Sequence, residues 1–177
     1  MDKPGLPDYA GACITNIVPA LLDGTIEAPS WIPSAALEAD QVVLLVLDGL
    51  GWDQLQARRH LAPTLAALAG GPITSVSPTT TATALTSIAT GLTPGEHGVV
   101  GYRVAVDHEV LNILRWTTPA GDARQRIEPG NRVAREALGL AGADESRVGC
   151  HSPCPRGDGV LKFVGFILLH KSQHFTY

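Results

Sequence analysis

Six consecutive apolar residues, Val42-Val43-Leu44-Leu45-Val46-Leu47, run straight into Asp48-Gly49. A run this short, half of it β-branched and closed by a turn dipeptide, predicts a strand buried on both faces. Such strands belong to parallel sheets covered by helices, so the run points to an α/β fold. Ligands of open α/β sheets bind outside the carboxyl ends of the strands, and Asp48 stands at that end. A carboxylate beside glycine is a good ligand for a hard metal ion; it is equally a cap for the helix that follows. The glycines do not complete a phosphate loop. After Gly49-Leu50-Gly51 the third glycine position holds Gln54, the acidic residue precedes the glycines, and no Walker-type lysine pattern is present.

From Trp52 to Leu68 the spacing of Leu55, Leu61, Leu65 and Leu68 predicts two short helices or one kinked at Pro63. Gly70-Gly71-Pro72 reads as a turn and Ile73–Val76 as a second short strand. A strand–helix–strand crossover is right-handed, so the second strand delivers Ser77–Thr81 to the same edge as Asp48. The stretch Ser77-Pro78-Thr79-Thr80-Thr81-Ala82-Thr83-Ala84-Leu85-Thr86-Ser87-Ile88-Ala89-Thr90-Gly91 then predicts a helix. Ala82, Leu85, Ile88 and Ala89 share a face, the threonines mark its start and Gly91 its end. A helix start suits a phosphate, through free N–H groups and a partial positive charge. A hydroxyl there is a cap or a nucleophile.

Together, Val42–Asp53, Pro78-Thr79-Thr80-Thr81 and Thr90-Gly91-Leu92-Thr93-Pro94-Gly95-Glu96-His97-Gly98 resemble the type I phosphodiesterase/nucleotide pyrophosphatase family of the alkaline phosphatase superfamily. The resemblance covers about Val42 to Tyr102 and fades beyond Trp116. It implies a three-layer alkaline-phosphatase-like α/β fold with a mainly parallel central sheet, here truncated to its N-terminal portion. It also implies metal-dependent hydrolysis of phosphoric esters with two zinc ions. By matching positions Thr81 is the nucleophile and, with Asp48, a zinc ligand. Metal coordination and a positive helix end would activate the otherwise weak hydroxyl nucleophile. Thr79 and Thr80 are then expected to cap the helix, Thr83 and Thr86 to be structural, and His97 to be buried or to stabilise a turn. Two departures bear on substrate. Ala82-Thr83-Ala84 replaces the family's Phe-Pro-Asn, and Tyr102 stands where diesterase members place a phosphoryl-holding Asn. Tyr102 or Arg103 could take over that contact.

Around this centre, residues 1–40 form an expected N-terminal peripheral segment. Ile14, Ile17, Val18, Leu21 and Leu22 have helical spacing interrupted by Pro19, which predicts a short helix on the outside of the domain, followed by an extended stretch from Thr25 to Pro33. Trp31 reads as a packing anchor, Asn16 and Asp23 as caps or surface residues. Residues 41–150 form the α/β portion. Its second half holds a predicted hairpin over Arg103–Thr118 turning at Asp107-His108-Glu109, a loop over Pro119–Gln125 and a helix over Asn131–Gly139. Asp107-His108 is read as a turn, and Cys150-His151 with Cys154 as a loop with free thiols, because the two-plus-two spacing of a zinc site is missing. Residues 151–177 form a divergent or non-native tail. The three cysteines suggest no disulfide framework.

Composition removes several functions. Apolar residues make up 45% of the chain, above a disordered composition. Net charge is −4 and basic residues are scattered, so no nucleic-acid partner is expected. No run reaches the length of a membrane span and the N-terminus lacks a leader pattern, so a cytoplasmic location without a membrane partner is the expectation. A small-molecule phosphoester is the expected substrate. Two other readings stay open: a non-catalytic phosphate- or nucleotide-binding protein, and an inactive fragment of the hydrolase lacking its further Asp and His ligands.

Overall fold

The computed structural model describes residues 5–22, 29–39, 42–106, 108–127 and 168–169. One apolar core joins the N-terminal segment to the threonine-rich helix. A 3-10 turn, Ile14–Asn16, runs into helix α1, Ile17–Leu22. Cys13, Ile14 and Ile17 are at most 2% exposed and pack with Val76, Ala84 and Ile88. The short amphipathic helix expected here buries one face, while Leu22 at its end is 75% exposed. The stripe Ile14/Ile17/Val18/Leu21 is the apolar face against which the threonine-rich helix lies, and Pro19 falls within the first turn of α1, where a missing N–H breaks no intrahelical bond. Trp31 does pack on this core, within a turn at Ser30–Trp31 that leads into α2, Ser34–Leu37.

The two predicted strands are shorter than their apolar runs. Of Val42–Leu47 only β1, Val46–Leu47, is in a ladder. It pairs in parallel with β6, Leu168–Leu169. Val43 and Leu45 are 45% and 47% exposed, so the run is not buried on both faces. Leu44 and Val46 on the opposite side meet the core, which is the alternation of a strand covered on one side. Ile73–Val76 reduces to a parallel bridge between Thr74 and Cys13, with the Ile14 N–H donating to Thr74 O and the Thr74 N–H to Ala12 O. The segment leading to the threonines is thus held by the N-terminal residues, which periodicity alone could not reveal.

Between β1 and Thr74 lie α3, Trp52–Ala57, and α4, Pro63–Ala66. They are the two short helices expected, divided at Pro63 because proline fits a first helical turn but not an interior. Helix α5, Thr81–Thr90, follows, then α6, Pro94–His97. Gly91 ends α5 with φ 71 and lies against Pro19 of α1. The remaining strands, β2 (Arg103–Val106), β3 (Glu109–Asn112), β4 (Thr117–Thr118) and β5 (Gly121–Asp122), form a four-stranded antiparallel sheet in sequence order.

The β2–β3 hairpin is the predicted one, pairing Val106 with Glu109. The predicted loop over Pro119–Gln125 instead contains β5. Val104, Val106, Leu111, Ala123 and Ile127 form a second core beneath this sheet. Trp116 closes it by donating its indole N–H to Ile127 O at 2.6 Å. Arg126 hydrogen-bonds Glu109 and Thr118, and that bond holds the Glu109 carboxyl below its ordinary range. Among the described residues the architecture is mixed helix and strand, with an antiparallel four-stranded sheet and a short parallel pair. The predicted Asn131–Gly139 helix and the Cys150/His151/Cys154 loop lie outside the described residues, as do Asp23 and Asp107.

Candidate functional site

Asp48 follows β1 directly, in a turn whose next residue, Gly49, has φ 80. That left-handed value suits glycine and turns the chain away immediately behind the carboxylate. Thr81 is the first residue of α5. Its Oγ1 donates to Asp48 Oδ2 at 2.8 Å, across 33 residues of sequence. The structure therefore brings together the two residues singled out from the sequence. Asp48 is exposed and Thr81 half-buried, so the pair faces solvent at a helix start.

The start of α5 is unusual for a threonine-rich one. Thr80 occupies the N-cap position with extended backbone, yet its side chain makes no capping bond. Its hydroxyl instead meets the Thr83 hydroxyl at 2.7 Å, correcting the expectation that Thr80 caps with its side chain. The first intrahelical bond runs from the Ala84 N–H to Thr80 O. The amides of Thr81, Ala82 and Thr83 precede it and have no intrahelical acceptor. An anion beside Thr81 would meet these N–H groups and the positive end of a ten-residue helix.

The other hydroxyls of α5 turn inward. Thr83 and Ser87 are fully buried. Thr86 donates to Ala82 O and Thr90 to Thr86 O, the back-bonding typical of structural hydroxyls. His97 is 1% exposed, as expected of a buried histidine. Its Nδ1 accepts from the Val99 N–H at 3.0 Å and its Nε2 meets Ser87 Oγ at 2.8 Å. Burial pushes its pKa below the ordinary histidine value. Tyr102 and Arg103 are exposed, with the Arg103 guanidinium 5.5 Å above the Tyr102 ring. Two contacts escaped sequence reasoning. Tyr9 Oη accepts from the Ser77 N–H at 3.2 Å, bracing the approach to the threonines from a distant loop. Ser87 is the hydroxyl partner of His97; its signal was legible as the helical spacing of Thr80, Thr83 and Ser87 on one face.

A carboxylate and a hydroxyl are hard oxygen donors suited to one shared cation. They are also only part of a catalytic zinc site, which usually has three protein ligands. Among the described residues no group of three or more His, Cys, Asp or Glu is placed to hold a metal, and no helix is long and apolar enough to cross a membrane. The family model described as Type I phosphodiesterase / nucleotide pyrophosphatase matches residues 42–126, which span Asp48, Thr81, His97 and the antiparallel sheet. No curated protein and no solved structure matches the chain.

Proposed function

We infer, from the match of residues 42–126 to the type I phosphodiesterase / nucleotide pyrophosphatase family model, that this chain carries the nucleophile-bearing portion of a metal-dependent phosphoric-ester hydrolase. The observation that carries the reading is the 2.8 Å hydrogen bond from Thr81 Oγ1 to Asp48 Oδ2 at the start of α5. The nucleophile is Thr81. Asp48 holds its hydroxyl proton and fixes the direction in which the oxygen is presented. The first-turn amides of α5 receive the phosphoryl oxygens, and the Arg103–Tyr102 pair supplies a cation and a phenol for the same group.

Asp48 and Thr81 are the residues that would hold zinc, which when bound supplies the charge that lowers the hydroxyl's pKa. Among the described residues these two donors fall short of the three protein ligands usual for a catalytic zinc, and alone they are expected to bind zinc weakly. The fold around the pair is then a portion of an alkaline-phosphatase-like three-layer α/β domain with a mainly parallel sheet. Residues 1–40 lead into it, 41–150 form it and 151–177 are a divergent tail. The substrate class is a small-molecule phosphoester. Two alternative readings are a protein that binds phosphate or nucleotides without turnover, and an inactive fragment of the hydrolase.

The experiment is a long incubation with a chromogenic aryl phosphodiester in excess zinc, an acid quench, and mass mapping of the phosphorylated residue. Attack expels one aryl alcohol and leaves the phosphoryl group, still carrying its second ester substituent, on the hydroxyl; that adduct on Thr81, absent from Thr81→Ala, supports the nucleophile. The same esterified phosphoryl adduct on Thr79 or Thr80 refutes it. Retention of inorganic phosphate by both proteins, with neither phosphorylation nor turnover, favours the binding reading.

A further inference from the structure

The α5–α6 corner is held more firmly than a connection between two helices needs. Gly91 and Gly98 end the two helices in left-handed conformations. Thr93 and Glu96 form a reciprocal capping box, with the Thr93 N–H donating to Glu96 Oε2 at 2.8 Å. These contacts already satisfy the backbone of the corner. His97 adds something different, because its two ring nitrogens reach two different segments.

Nδ1 accepts from the Val99 N–H, so it carries no proton. In a neutral imidazole the hydrogen is then on Nε2, which donates to Ser87 Oγ on α5. Ser87, His97 and Val99 are all buried. On one side of the ring is the helix whose first residue is Thr81. On the other is the chain that leaves through Val99 and reaches Tyr102 and Arg103, where the Ile113 N–H donates to Tyr102 O.

We propose that His97 is a positioning residue of the phosphoester site, fixing the outgoing segment Val99–Arg103 to the helix that carries Thr81. The proposal rests on the reading of Thr81 and the Arg103–Tyr102 pair given above, but its physical core does not. Protonation of Nδ1 would set an N–H against the Val99 N–H and release the segment while leaving α5 intact. The ring's charged neighbour is Glu96 of α6, which favours the proton; burial opposes it and dominates. α5 presents Ser87 and the outgoing segment presents the Val99 amide, neither of which titrates near neutrality.

The test uses the whole 15N-labelled chain without substrate or metal, so it can fail independently of the proposed chemistry. Long-range proton–nitrogen correlations should show an Nε2–H, Nδ1-bare imidazole at pH 7.5. After correction for intrinsic rates, exchange of the Val99 amide should rise about tenfold per pH unit as pH falls toward the ring's pKa, because opening follows the protonated fraction. The Ala84 amide of α5 should not follow it. His97→Asn, which keeps an acceptor near the Nδ1 position, should retain Val99 protection and lose its pH dependence. His97→Gln, which keeps a donor toward Ser87, should lose the protection at every pH and move the Tyr102 and Arg103 amide resonances. An Nδ1–H tautomer in the wild-type chain, or Val99 exchange indifferent to pH, overturns the proposal whether or not the variants fold. Equal Val99 protection in both variants also overturns it.

Discussion

Two glycines hold the elements that present Asp48 and Thr81, and replacing each by alanine should cost very different amounts. Gly49 follows Asp48 at φ 80 and Gly91 ends α5 at φ 71. A Cβ in the left-handed region costs about 1–2 kcal/mol. At Gly49 nothing lies within 4 Å of an added Cβ, so Gly49→Ala should cost about that and no more. At Gly91 the added Cβ would stand 2.6 Å from Pro19 Cγ and 3.2 Å from its Cδ. The ring of Pro19 is fixed in α1 and cannot swing aside. Overpacking of this kind adds about 1–3 kcal/mol, so Gly91→Ala should lose about 2–5 kcal/mol in all.

The assay is urea unfolding followed by far-ultraviolet circular dichroism. With slopes of about 1–3 kcal/mol per molar urea, the Gly91→Ala midpoint should fall by about 1–2 M and that of Gly49→Ala by about half as much or less. Asparagine, which tolerates the left-handed region, should partly rescue position 49 and not position 91. Equal losses at the two positions would refute the packing of Gly91 against α1, and with it the account of what holds α5 in place.

Other outcomes follow from particular contacts. Ile17→Ala should destabilise by about 2–5 kcal/mol, since Ile17 is fully buried against α5, whereas Leu61→Ala, at 71% exposure, should stay within about 0.5 kcal/mol; paired unfolding curves check both. Thr80→Ala should cost about 1 kcal/mol by leaving the buried Thr83 hydroxyl without this partner, and Thr80→Ala combined with Thr83→Val should cost less than the sum of the two, a non-additivity read from a double-mutant cycle. For His97, whose folded pKa lies below its unfolded value, the unfolded state takes up the proton first. Its contribution is unaffected above the unfolded value of about 6.5. It then erodes stability by up to about 1.4 kcal/mol per pH unit as pH falls, and stops eroding below the folded pKa. Unfolding at pH 7.5 and 5.5 should show that loss in the wild-type chain and not in His97→Asn.

The site was more legible in the sequence than the sheet was. Asp48 and Thr81 could be paired because each sits at a chain-direction change marked by local chemistry, Gly49 behind one and a run of hydroxyls before the other. Helix ends obey rules a few residues long, which is why Pro63 and Gly91 fall where expected. The apolar run Val42–Leu47 misled because an apolar run does not say which of its faces is covered. Val43 and Leu45 are exposed while Leu44 and Val46 are not. The place of Ile14 and Ile17 was illegible for a related reason. Their periodicity revealed an apolar face, but that it meets Ala84 and Ile88 depends on a bridge between Cys13 and Thr74, distant in sequence. Thr80 failed as a cap because a second hydroxyl one turn on, Thr83, competes for it.

The central claim is that Asp48 and Thr81 form one site for one cation. The direct measurement is a zinc titration of the uniformly 13C- and 15N-labelled chain, following the Asp48 carboxyl carbon and the Thr81 Cβ. The account predicts that both move on a single isotherm of weak affinity, and that Asp48→Asn abolishes the Thr81 response while the α5 amide pattern survives. A Thr81 response undiminished in Asp48→Asn, or zinc-induced shifts that spare both residues, would contradict it.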